Sequence, residues 1–129
     1  MAIRFLRIAV VYVMVGAAMG LIMGVTHQFQ FAPVHAHLNL LGWASLALVS
    51  LIYQHHPRAA ETKLAQVHFW LHNVGLPIFM VSLFLLLLGH PAAQAGVAIG
   101  GAITLIGIQV FAVNLLRSLR GRGQSARPL

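Results

Sequence analysis

The 129-residue chain has no cysteine and a single acidic residue, Glu61. Without cysteine there is no disulfide, no iron–sulfur cluster, no thiolate ligand to haem and no thioether haem attachment. Any haem would be held non-covalently by histidine, and would by default be of the b type. Charge is scarce as well: 7% of residues are charged, against about 25% in a soluble domain. With 60% hydrophobic residues and a mean hydropathy of +0.88, the composition is that of a membrane protein. At this length one domain is expected. The net charge of +7 taken alone suggests nucleic acid. The positions of the basic residues argue against that partner, because they sit at the termini and in one loop, as topology signals do.

Four apolar stretches are present, at roughly 5–25, 34–53, 64–89 and 93–116, the first with Arg7 near its start and the other three with no charged residue. Each reaches the ~20 residues needed to cross ~30 Å of hydrocarbon. Gln28 to Pro33, His56-Pro57-Arg58 and His90-Pro91 break them apart. The reading is an all-α integral membrane protein, a four-helix transmembrane domain over residues 1–116 with a basic, disordered cytoplasmic tail over 117–129. Arg4 precedes the first span and Arg7 lies in its opening turn, Arg58 and Lys63 lie between the second and third, and Arg117, Arg120, Arg122 and Arg127 follow the fourth. The positive-inside rule then puts both termini in the cytoplasm of a bacterial-type inner membrane. The first apolar run is too long for a signal-peptide core and lacks a good cleavage site, so it is read as a retained span.

Histidine is plentiful, at eight residues. The run His27, seven residues, His35-Ala36-His37 leads directly into the second span. At 100° per residue, His35 and His37 point about 200° apart and serve two different neighbours. Ionisable side chains at membrane depth are costly and usually functional, and imidazole is a common ligand for haem iron and copper. The alternative is an interfacial pair bonded to water, headgroups or the free backbone of a helix start. Asn39 lies four residues after His35, on the same face, and is a candidate to orient its ring. Gly42 leaves room for a flat macrocycle or a close helix.

His68 and His72 share one face of the third span, with Trp70 and Asn73 beside them. His68 is read as part of an interfacial belt, while His72 lies deeper and stays open as a metal ligand. His55, His56 and His90 read as solvated loop residues. Gly16, Gly20 and Gly24, with Gly96, Gly100, Gly101 and Gly107, read as helix-packing positions. Met14, Met19, Met23 and Met80 read as core filler.

The order of these motifs is familiar. Residues 27–42 resemble the tenth transmembrane helix, and the loop before it, of subunit I of the haem–copper oxygen reductases. His68-Phe69-Trp70-Leu71-His72-Asn73-Val74-Gly75 resembles the start of the helix that follows, at similar spacing; the likeness covers roughly residues 27–80. It implies that His35 matches the ligand of the high-spin haem and His37 that of the low-spin haem, and that His27 borders a metal and water site. Subunit I has twelve helices in three four-helix arcs. A single arc implies a homotrimer that rebuilds the ring.

The departures from the family are specific. The third span has no adjacent histidine pair, Tyr12 and Tyr53 do not match the family's tyrosine, and no carboxylate lies within a span, which argues against proton pumping and oxygen or nitric-oxide reduction. The cofactor candidates are therefore His35 and His37 for haem b. The candidates for copper are His27, His35 and His72, supported by Asn39 and Asn73. The expected role is electron transfer, or haem or copper handling, with a redox partner that the sequence does not name. Whether the chain is an enzyme is open; if it is, a haem-dependent oxidoreductase is expected. A di-haem b-type four-helix cytochrome and a non-haem metal chaperone or assembly protein are the alternative readings.

Overall fold

A computed structural model describes residues 1–125, with side chains to residue 120. Four helices are long and apolar enough to cross a membrane: α1 (Ala2–Thr26), α2 (Phe29–His55), α3 (Lys63–Leu87) and α4 (Gln94–Ser125). They follow the apolar runs because in lipid each backbone N–H and C=O must be satisfied within its own segment. The connections are short. α1 ends at His27, which adopts the left-handed conformation (φ 56°, ψ 24°) that stops a helix. A one-turn helix, Pro57–Ala60, joins α2 to α3. Thr62 caps α3, its hydroxyl accepting from the Ala65 amide at 3.1 Å. Gly89 (φ 93°) turns the chain toward α4.

The molecule is apolar on the outside. Val11, Met14, Leu21, Ile22 and Val25 of α1, Leu40 and Leu48 of α2, Trp70 and Val81 of α3, and Ile99 and Leu105 of α4 are all exposed. That is the pattern expected where lipid tails, not water, cover the surface. Met14 is 67% exposed, so it faces lipid; its place in the core is corrected. Met23 and Met80 are buried as expected.

Without a hydrophobic drive between helices, close packing must hold them together. α3 and α4 form the most intimate pair, and glycine makes it possible. A Cβ on Gly75 would meet the Thr104 amide at 2.7 Å, and one on Gly107 would meet the His72 amide at 3.1 Å. Gly100 lies directly against the Phe79 backbone. α1 and α2 form a second pair. Two buried clusters fasten the pairs together. One holds Phe5, Ala9, Leu46, Val49, Tyr53, Ala59 and Ala65; the other holds Val34, Leu38, Leu76 and Met80.

α4 continues as helix to Ser125, through residues expected to be a disordered tail from Arg117. An already formed helix extends at little cost once nucleated, and Leu115 to Leu119 are good helix formers. Residues 126–129, the remainder of that expectation, lie outside the described residues.

Candidate functional site

α2 is not a uniform helix. A single 3-10 turn, Phe29–Phe31, leads into α-helix over Ala32–His37. The segment Leu38–Ala44 then widens to i→i+5 bonding, with the Ser45 amide donating to the Leu40 carbonyl. Regular α-helix resumes over Ser45–His55. Such π segments are rare, occur mostly as single turns inside α-helices, and are frequent at functional sites. This one begins immediately after the His-Ala-His run.

His35 and His37 serve different neighbours, as their spacing requires. His35 points at α1. Its Nδ1 donates to the Gly16 carbonyl at 2.9 Å, and its ring lies over Gly20, where a Cβ would come within 2.7 Å of Cε1. The Asn39 side chain lies over Gly16, where a Cβ would meet its Nδ2 at 2.6 Å. Two of the three glycines spaced along α1 are therefore the seats of His35 and Asn39. Asn39 Nδ2 donates to the His35 carbonyl at 2.9 Å and lies 3.3 Å from the ring Nδ1. The carbonyl bond is the better one. Asn39 thus holds the backbone of His35, while Gly16 holds its ring.

His37 points at α3, edge-on to Phe79 with ring centroids 5.1 Å apart. Its Nδ1 donates to the Pro33 carbonyl at 2.7 Å. Proline at position 33 has no amide to give, but its carbonyl is free for a side chain. Both rings thus carry their proton on Nδ1, because each faces a carbonyl that only accepts. Both leave Nε2 with a lone pair. A backbone carbonyl behind the far nitrogen is the usual support of a ligating imidazole.

The other expected site residues are dispersed. His27 is exposed at the α1 terminus, its ring 6.0 Å from Phe29. His72 is buried and donates from Nε2 to the Leu41 carbonyl at 3.0 Å. That carbonyl belongs to the widened segment of α2. Asn73 turns back on its own helix, donating to the Phe69 carbonyl at 2.7 Å. It makes no bond to a histidine. His27, His35 and His72 are not brought together within one chain, and no group of three histidine, aspartate or glutamate side chains suited to one metal ion occurs among the described residues. Gly42 admits a close helix: a Cβ there would strike the Tyr12 ring. The space is filled, so no macrocycle enters at that point.

His68 departs most from its sequence reading. It is 1% exposed, not part of a solvated belt. α1 extends to Ala2 and lays Phe5 nearly parallel to the imidazole, centroids 5.0 Å apart. Phe111 of α4 lies at 5.1 Å and Tyr53 of α2 at 6.4 Å. Aromatic rings from three helices therefore enclose it. Trp70, by contrast, is exposed as a belt residue should be. His55 is exposed, with its Nδ1 bonded to the Leu51 carbonyl, and His90 is exposed in its turn, as expected.

Sequence reasoning passed over the polar knot below His68. Asn114, 2% exposed, donates to the Ala59 carbonyl at 2.8 Å and to the Tyr53 hydroxyl at 3.3 Å. It accepts from the Thr62 hydroxyl at 2.8 Å. One side chain of α4 thus fastens the α2–α3 loop. The signal was present: a lone amide in an otherwise apolar run must find partners.

Comparison with protein-family models, curated proteins and solved structures finds no match to this chain.

Proposed function

We propose that this chain is a haem-binding protein of the cytoplasmic membrane, related to one arc of haem–copper oxidase subunit I and working as a homotrimer. Its role is electron transfer, or haem or copper handling, and not proton-pumping oxygen reduction. The observation that carries the reading is the divided His-Ala-His pair. His35 and His37 face different helices, and each keeps an Nε2 lone pair behind a carbonyl-bound Nδ1. That arrangement suits two separate iron sites better than one.

The donors present fit haem b. Each neutral imidazole, His35 backed by the Gly16 carbonyl and His37 by the Pro33 carbonyl, would hold an iron of its own, and no thiolate competes for it. When bound, haem supplies a one-electron iron couple whose potential depends on its axial ligands. The Pro33 carbonyl keeps the His37 ring in one tautomer and one orientation. Phe79 limits its swing on the α3 side. Tyr12 fills the space beside Gly42, so a macrocycle would have to be held elsewhere, and the proposed trimer would offer the surface between copies. A histidine of a neighbouring copy would complete the site, which is where a cyclic trimer would become useful. Within one chain His68 and His72 lie on the same helix rather than facing each other across the bundle. This favours the trimer over a di-haem four-helix cytochrome.

One measurement tests both parts of the proposal. Native mass spectrometry from detergent is expected to give three chains plus non-covalent haem. A trimer that carries no haem, and has no Soret absorption, overturns the haem reading. A haem-loaded monomer or dimer overturns the ring. The positive-inside distribution also predicts cytoplasmic termini. A reporter enzyme fused after Leu129 is expected to read out on the cytoplasmic side; a periplasmic signal refutes the even number of crossings.

A further inference from the structure

His68 and His72 form a second imidazole site that the haem reading does not use. They sit one turn apart on α3, each 1% exposed, with ring centroids 5.6 Å apart and planes at 89°. His72 donates from Nε2 to the Leu41 carbonyl, so its Nδ1 carries the lone pair. That Nδ1 is buried and has no partner. The Nδ1 of His68 is likewise buried without a partner. Buried polar atoms are nearly always satisfied, and each orphan costs about 1–3 kcal/mol. Two such orphans on adjacent rings call for a shared occupant.

We propose that the His68–His72 pair binds a single cuprous ion through two imidazole nitrogens. Three arguments select Cu+. Imidazole suits copper, zinc, iron and nickel, but zinc sites almost always take four ligands, and this pair offers two. Cu+ is satisfied by two nitrogens in line. Charge decides in the same direction. Both imidazoles are neutral, and Glu61, the chain's one acid, is exposed in a loop. The full charge of the ion therefore stays in a low-dielectric interior. Born cost rises with the square of charge, so a monovalent ion costs roughly a quarter of a divalent one of similar size. The rings of Phe5 and Phe111 flank His68, with centroids 5.0 and 5.1 Å from its own, so a cation held by that imidazole would have aromatic neighbours. The third argument is support. The Leu41 carbonyl behind His72 Nε2 is the backing that ligating histidines use, and the widened segment of α2 is what presents it.

The site is independent of His35 and His37, so the two readings fail separately. The test is a competitive titration of the intact, detergent-solubilised protein with Cu+ against a colorimetric Cu+ chelator, repeated with Zn2+. His68→Phe and His72→Gln are the informative variants. Phenylalanine preserves the aromatic packing at 68, and glutamine retains an amide donor at 72. Size-exclusion elution and circular dichroism report their folding. The expected result is one Cu+ per chain, weaker Zn2+ binding, and an affinity for Cu+ lowered by at least about 100-fold in each variant, beyond the range of changes behind a ligand. His55→Ala, whose exposed ring bonds only to the Leu51 carbonyl, is expected to leave Cu+ binding at the wild-type level. Wild-type Cu+ affinity in folded His68→Phe or His72→Gln overturns the site, and so does Zn2+ binding as tight as Cu+. X-ray absorption of the Cu+-loaded protein is expected to show two nitrogen neighbours; three or more overturn the two-ligand assignment.

Discussion

His37→Ala is expected to abolish any low-spin haem absorption, leaving a high-spin spectrum or none. The ring is held by the Pro33 carbonyl at 2.7 Å and by the edge of Phe79. Nothing else among its described contacts depends on it, so the fold should survive. Losing one axial imidazole changes the spin state of the iron, which absorption spectra read directly. His35→Ala is expected to behave differently. It empties the seat over Gly20 and frees the Gly16 carbonyl, which impairs the separate site on the other face and spares the low-spin signal. Difference spectra of reduced and oxidised membranes, with haem quantified per chain, separate the two outcomes. His55→Ala serves as the control, because its ring bonds only to Leu51 of its own helix. If both His35→Ala and His37→Ala keep wild-type haem and metal content, the pair is interfacial and the haem proposal is wrong.

The second large effect is on stability. Gly100→Val is expected to force α3 and α4 apart. A Cβ at Gly100 would come within 2.8 Å of the Phe79 Cα and 2.9 Å of the Gly75 carbonyl. Both are backbone atoms and cannot move aside as a side chain would. Overpacking a tight interface costs roughly 1–3 kcal/mol or more. Here the helix pair would separate along its length, disturbing the Gly107 contact with His72 as well. Gly101→Ala one residue later is the contrast, since its Cβ would meet only the Phe79 ring at 4.0 Å. Gly24→Ala meets nothing within 4 Å and should be neutral, or stabilising by up to about 1 kcal/mol through helix propensity. Thermal unfolding in detergent measures all three. A Gly100→Val protein as stable as Gly101→Ala contradicts the close α3–α4 packing.

The crossings were legible because they follow from composition: an apolar run of the right length has one low-cost conformation in lipid. The divergence of His35 and His37 was legible because it is simple helical geometry. Other features depended on what lies alongside. A histidine beside a tryptophan at a span's end reads as an interfacial belt, and Trp70 obeys. His68 does not, because Phe5, more than sixty positions earlier, covers it. Gly16 and Gly20 were visible as a pattern, but not as the seats of two particular side chains. The Leu41–His72 bond had no sequence signal at all, since every residue has a carbonyl and this one lies 31 positions away on another helix.

That change of helix type has a further consequence. A π turn houses one residue more than an α turn over the same rise, so the half of α2 after Ser45 is rotated by about 100° relative to an uninterrupted helix. Its upper half aims His35 at Gly16 and Gly20; its lower half aims Tyr53 at Asn114 and His68. The two halves are in phase with their partners only while the extra residue is there. Length and register are therefore separate properties of this helix. Deleting one residue between 38 and 44 would leave its length almost unchanged, a difference that a bilayer absorbs readily. The same deletion would turn one end out of alignment with the other, much as removing a tooth from a gear leaves its size almost unchanged and its timing wrong.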